Sequence, residues 1–169
     1  MNEVIQPSDA FPWLTLAFAD YDKPVEYTAA LQAQNVPYVY GAKADPLGEA
    51  LGNITGLDCS GFVRDCLFRS LGDPGDFDIP DGSDAIHQWA IAAGLKQSEP
   101  ADAGAADHIW RIAFLQPTVS HDGIGHVLLI RDGTTYESYG GHGPGTRVWG
   151  SSNFMSLMKV FVLALPPAG

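Results

Sequence analysis

At 169 residues, 46% of them hydrophobic, the chain has the size and apolar content of one compact domain with its own core. Nine Lys and Arg against 20 Asp and Glu give a formal charge of −11, which repels polyanions and excludes nucleic acid as an expected partner. No apolar run reaches membrane-spanning length, and residues 1–9 are polar and acidic, without the basic start and apolar stretch of an export signal.

Asp22, Lys23 and Pro24 have the form of an N-cap followed by proline in a first turn, so residues 25–34 are expected to be a short helix that Pro37 closes. Tyr38, Val39 and Tyr40 are β-prone, while residues 41–56, rich in Gly, Pro and Asp, read as a loop. From Cys59 onward Phe62, Val63, Cys66, Leu67 and Leu71 recur at helical spacing, and Gly72 with Asp73, Pro74 and Gly75 stops that helix. Ser83 is expected to cap a further helix that runs through Ile86, Trp89 and Ala90 to Gly94. Strands are expected at 109–115, 127–130, 134–138 and 160–165, with Asp132-Gly133 as a two-residue hairpin turn. Helices followed by an antiparallel sheet make the class α+β, with no internal repeat and no linker that splits the chain.

The stretch GLDCSGFVRDC, residues 56–66, holds both cysteines. Seven residues on a helix rise by roughly 10 Å, whereas a disulfide needs Cα atoms within about 7 Å, so Cys59 and Cys66 cannot pair. Cys66 lies among apolar residues and reads as a small hydrophobe; Cys59 reads either that way or as a nucleophile. A helix N-terminus favours the thiolate, and the small Ser60 and Gly61 let a substrate approach a Cys59 N–H that is free to bind an oxyanion.

A nucleophilic thiol needs a base. His126 opens the strand GHVLLI, and a two-residue turn at Asp132-Gly133 places Arg131 opposite Thr134 and His126 opposite Tyr139. Glu137 then shares a face with His126, diagonally and about 7–8 Å away at Cα, where its carboxylate can orient the imidazole. A one-residue bulge would reverse this parity. His87, His108 and His121 read as structural or solvated, and no spacing of His121, His126 and His142 suits a metal, so none is expected. The glycine-rich YGGHGPGTR, residues 139–147, lacks the ending of a phosphate loop and is expected to be a mobile rim, with His142 as a rival to Glu137.

PYVYGA, DCSGFV and GHVLLI…TTYES, in this order, look like the NlpC-type family of papain-like cysteine peptidases, bacterial cell-wall endopeptidases. The resemblance spans about residues 25–148. It implies a papain-like fold, N-terminal helices packed on a central antiparallel sheet, over residues 25–169; residues 1–24, outside the resemblance, are expected to be an extension packed on that domain, over the core or plugging the cleft. It implies Cys59 as nucleophile, His126 as general base, and Tyr38 supporting the oxyanion or the substrate backbone. Asp58 would face the amino group of a stem peptide, with Ser60 and Ser83 further substrate contacts; Tyr38, Asp58 and Ser83 have plain readings too, as a core aromatic and two caps.

The third position of the family is most often histidine; Glu137 there is similar to the CHAP amidase group. The strand at 107–115 and the loop to His121 also differ from the short Gly-Asp motif usual before the histidine strand, and residues up to about 20, including Phe11, Trp13 and Phe18, match nothing in the family.

The implied activity is hydrolysis of peptidoglycan stem peptides, at the bond between D-glutamate and diaminopimelate, through a thioester and without a cofactor. The alternatives are a CHAP-like N-acetylmuramoyl-L-alanine amidase or cross-bridge endopeptidase, another acyl chemistry, or a catalytically silent assembly module. The expected site of action is the bacterial wall, extracytoplasmic or periplasmic, the chain being made in the cytoplasm and delivered by a phage tail or secretion system. An immunity protein is then a possible partner.

Overall fold

The computed structural model describes residues 4–5, 13–72 and 75–168. Strands β1 (Val4–Ile5) and β2 (Thr15–Leu16) pair as a small antiparallel ribbon. Among the described residues three α-helices follow, α1 (Lys23–Ala33), α2 (Cys59–Ser70) and α3 (Ser83–Ala93). Strands β3 (Gln97–Ser98), β4 (Trp110–Leu115), β5 (His126–Arg131), β6 (Thr134–Tyr139), β7 (Gly143–Gly145) and β8 (Lys159–Ala164) form one sheet in the order β3-β8-β4-β5-β6-β7. Every neighbouring pair is antiparallel, so the fold is α+β as expected.

Both faces of the sheet are covered, which is why its central strands read as apolar runs instead of alternating. Phe62, Val63, Cys66 and Leu67 of α2 pack with Ile112, Phe114, Val127 and Leu129 on one face. On the other, Ala113, Leu115, Leu128, Ile130 and Val160 meet Met155 and Met158, with Trp149 and Phe154 at the margin. Phe62 has no exposed surface, and its truncation to alanine is of the kind that removes about 3–5 kcal/mol. No helix among the described residues is long and apolar enough to cross a membrane.

The hairpin forms as its turn residues dictate. Asp132 and Gly133 both have positive φ, 53° and 75°, as a type I′ turn requires, and Arg131 pairs with Thr134, Ile130 with Thr135 and Leu129 with Tyr136. The parity that puts Glu137 on the His126 face is thereby fixed.

Four expectations need correction. Ser83 is the first residue of α3 and not its cap; Gly82 precedes it with φ of 99°, a backbone state that suits glycine. Asp22 is the N-cap of α1 by position, but its carboxylate accepts from Arg131 Nη1 at 2.7 Å and caps nothing. Tyr38 makes only an isolated bridge to Leu57, and Val39 and Tyr40 are exposed, so the β-prone triplet is no strand. The expected mobile rim contains β7, buried and paired to β6, because Gly143 runs so close to the end of α1 that a Cβ there would lie 2.2 Å from Val36 O. The expected helix stop at Asp73-Pro74 and the packing of Phe11 lie outside the described residues.

Candidate active site

Asp58 is extended and caps α2: its Oδ1 accepts from Gly61 N at 2.6 Å and from Ser60 Oγ at 3.1 Å. Its Oδ2 accepts from Gly41 N at 3.1 Å, and its own N–H donates to Ala42 O at 3.0 Å. These bonds lash the loop at 38–43 to the first turn of α2. Gly61 is required by that contact, since a Cβ would come within 2.5 Å of Ala42 O. Cys59 is thus presented in the first turn, where backbone N–H groups lack intrahelical acceptors.

Both cysteines are free. Cys66 is fully enclosed two turns further on, and burial pushes its thiol well above the usual range. Tyr38 stands beside Cys59; partial burial, then the proximity of Cys59 and Asp58, raises its phenol to about 12, so it keeps its proton at neutral pH.

His126 opens β5, so its ring lies at the end of the sheet where α2 also begins. Cys59 Sγ is 4.0 Å from the carbonyl oxygen of Gly125, the residue before His126, and Cys59 is close enough to act on the imidazole. Gly125 must be small, because a Cβ would lie 2.7 Å from Ser83 Oγ and 3.1 Å from Leu115 O. The other side of the ring meets Glu137, with Nε2 2.8 Å from Oε1, which leaves Nδ1 for the thiol. Burial alone would hold the imidazole neutral, but Cys59 and Glu137 together raise it to about 9.

Glu137 has no exposed surface, yet its carboxylate is fully partnered. Oε1 accepts from His126 Nε2 and Arg147 Nη2, and Oε2 accepts from Arg147 Nε at 3.1 Å and from Thr135 Oγ1. Burial would raise its pKa, and the bonds from His126 and Arg147 overcome that to bring it down to about 2. His142 does not compete for the imidazole: its ring stacks on Tyr139 at 4.6 Å and its Nδ1 lies 3.2 Å from Gly143 O.

Two cavities, of about 520 and 410 Å³, share Tyr38, Tyr40, Ile124 and Gly125 and together form one cleft across the Cys59–His126 pair. The larger is lined by His126, Arg147, His121, Asp122 and Phe154. The smaller is lined by Cys59, Asp58, Ser60, Ser83 and Asp84. The cleft therefore gathers Tyr38, Asp58, Cys59, Ser60, Ser83 and His126, with Glu137 directly behind the imidazole. Among the described residues no group of three or more His, Cys, Asp or Glu is arranged to hold a metal.

Sequence reasoning missed Arg147, Thr135 and Phe154, whose ring stands edge-on to His126 at 6.0 Å. Arg147 was within reach: Glu137 pairs with Gly145, and Arg147 lies two residues on, diagonal on the same face. The Gly-Pro-Gly composition of β7 hid the strand that carries this register.

No family model and no curated protein matches the sequence. Similar solved structures do exist. One is an NlpC/P60 family protein from Bacillus cereus, 16% identical with a TM-score of 0.58 over 89% of this chain. Another is the Resuscitation Promoting Factor Interacting protein RipA, mutated at a cysteine, 14% identical with a TM-score of 0.51 over 99% of this chain. The chain spans 42% of the length of the first and 93% of the second. The fold that brings Cys59, His126 and Glu137 together at the end of the sheet is the NlpC/P60 fold.

Proposed function

We propose that the protein is a cysteine peptidase that hydrolyses peptidoglycan stem peptides at the bacterial wall, at the D-glutamyl to diaminopimelate bond. The observation that carries this reading is the succession Cys59, His126, Glu137, with His126 Nε2 2.8 Å from Glu137 Oε1, opening on a two-lobed cleft. A His126 raised to about 9 is an imidazolium at neutral pH, the form that pairs with a thiolate.

The Cys59 thiolate attacks the scissile carbonyl carbon, and the new C–S bond pushes an electron pair onto oxygen. The Cys59 N–H and the Tyr38 hydroxyl stabilise that oxyanion. His126 delivers its proton to the departing amine as the C–N bond breaks, leaving a thioester and a neutral imidazole. Water then gives a proton to His126 and adds to the thioester; collapse releases the carboxylate product and the thiolate. Glu137 holds the ring in one orientation and stabilises its cationic form. Asp58, Ser60 and Ser83, on the smaller lobe, bind the free amino end of the stem peptide.

The test is digestion of purified diaminopimelate-type muropeptides by the wild-type protein and by Cys59→Ala, with products weighed by mass spectrometry. Cleavage by the first and none by the second is expected; intact substrate with both refutes the peptidase. Glutamate as the partner of His126 favours one second reading, a CHAP-like amidase or cross-bridge endopeptidase. The fragment masses separate the two, because an amidase releases the stem peptide whole.

A further inference from the structure

The larger lobe of the cleft has a wall residue that neither the sequence reading nor the reaction above uses. Arg147 follows β7 and is held at several points. Its backbone N–H donates to Thr135 Oγ1 at 2.9 Å, and its carbonyl accepts from Thr135 N at 2.8 Å. Its guanidinium lies against two aromatic rings, 4.1 Å from the centroid of Tyr139 and 5.1 Å from that of Phe154. From there it reaches Glu137 with two donors, Nε to Oε2 and Nη2 to Oε1. The second of these oxygens is the one that also accepts from His126 Nε2.

We infer that Arg147 is a positioning residue for the base: it clamps both oxygens of Glu137 and shares Oε1 with His126, fixing the imidazole's direction and limiting how tightly the carboxylate holds a proton on it. The clamp is needed because the buried Glu137 carboxylate is attached through rotatable bonds, and the Arg fork matches a carboxylate in its own plane. The sharing matters for the second half of the reaction. A carboxylate facing His126 alone stabilises the imidazolium without restraint, whereas thioester hydrolysis requires a neutral ring that can take a proton from water. A fixed cation on the same oxygen opposes that excess. This role rests on Cys59 and His126 reacting as proposed, but its first readout does not need the peptide.

The other charged or titratable groups that face the pair are Cys59 and its cap Asp58 from α2, and Tyr38 and Tyr40 from the preceding loop. His121 and Asp122 from the β4–β5 loop, Tyr139 from β6 and His142, stacked on Tyr139, lie on the other side. All remain in Arg147→Met, which keeps an unbranched stem between the rings and removes only the charge and the fork.

The experiment follows the His126 imidazole by NMR through a pH titration of the free protein, and separately measures kcat and KM on muropeptides. In Arg147→Met the His126 midpoint is expected to rise above that of wild type by about one pH unit, with kcat down about tenfold and KM little changed. Arg147→Lys, which keeps the charge without the fork, should restore the midpoint but not kcat. A midpoint that stays or falls in folded Arg147→Met overturns the inference. Should Arg147→Met not fold, Arg147→Gln is read in its place. Failure of both to fold, with Arg147→Lys folded and fully active, makes Arg147 a structural counter-ion and also overturns it. If the midpoint rises while wild type leaves muropeptides intact, the Arg147 role stands and the proposed substrate falls.

Discussion

Among the described residues two carboxylates are fully buried and built to the same plan, Asp65 in α2 and Glu137 in β6. Asp65 accepts from Tyr27 Oη at 2.5 Å, Gly48 N at 2.7 Å and Arg69 Nε at 2.8 Å, and Arg69 rests over the Tyr27 ring at 5.2 Å. Glu137 likewise has an arginine stacked on an aromatic ring and a hydroxyl donor, Thr135. The difference is the remaining partner. At Asp65 it is a backbone amide, and burial together with Asp65 itself drives the Tyr27 phenol far above its usual range, so that hydroxyl keeps its proton near neutral pH. At Glu137 it is an imidazole that opens on the cleft. An arginine-clamped carboxylate is a general way to keep a charge inside a protein; it becomes chemistry where one of its donors titrates and meets a nucleophile.

Removing the charge at Asp65 should produce the largest loss of stability. Asp65→Asn leaves Arg69 without its counter-charge and should cost about 3 kcal/mol in urea unfolding, while the His126 titration stays where it is. A shifted His126 midpoint would mean that the two carboxylates are not independent. Glu137→Gln should do the reverse. Loss of the anionic acceptor lowers the His126 midpoint from about 9, and muropeptide cleavage should fall about a hundredfold, with a smaller loss of stability because Arg147 can turn to the cleft. An unchanged rate would remove Glu137 from the reaction.

The pH dependence of stability sharpens the same contrast. His126 is raised in the folded protein, so its contribution is fully present below about 6.5, the unfolded value, and is lost as pH rises through about 9. Glu137 is depressed, so its contribution is present above about 4.3 and is lost as pH falls through about 2. Urea midpoints from pH 6 to 10 should therefore decline in wild type and decline less in Glu137→Gln, whereas Asp65→Asn should keep the wild-type slope.

The contrast also marks what was legible in the sequence. Cys59, His126 and Glu137 were readable because each depends on one local rule: a helix start, a strand start and a turn whose two residues fix the register. The fold class followed from the order of periodic segments. Arg147 was hidden because β7 is a strand made of Gly-Pro-Gly, held by pairing with β6 and by its approach to α1, neither of which leaves a pattern in composition. The Ser83 cap failed because Gly82, with φ of 99°, takes the cap position and leaves Ser83 as the first helical residue. Asp65 is silent in sequence as well, a charged residue on an amphipathic helix whose partners, besides Arg69 one turn on, come from α1 and from the loop at 45–50.

A third carboxylate, Asp58, tests how far the comparison extends. Its partners are two backbone amides and the Ser60 hydroxyl, with no arginine, and it is only partly buried. Its loss therefore leaves no cation stranded, and Asp58→Ala should cost only about 1 kcal/mol, the worth of an ordinary N-cap. Ser83, which caps nothing, should cost less still: Ser83→Ala should change stability by no more than about 0.5 kcal/mol. Thermal unfolding of the two variants orders them directly. If both residues also bind the amino end of the substrate, each should raise KM while leaving kcat and the His126 titration in place, since neither touches Glu137 or Arg147. A fall in kcat for Ser83→Ala would instead mean that its contact with Gly125 holds the start of β5, and with it His126, in position for the thiol.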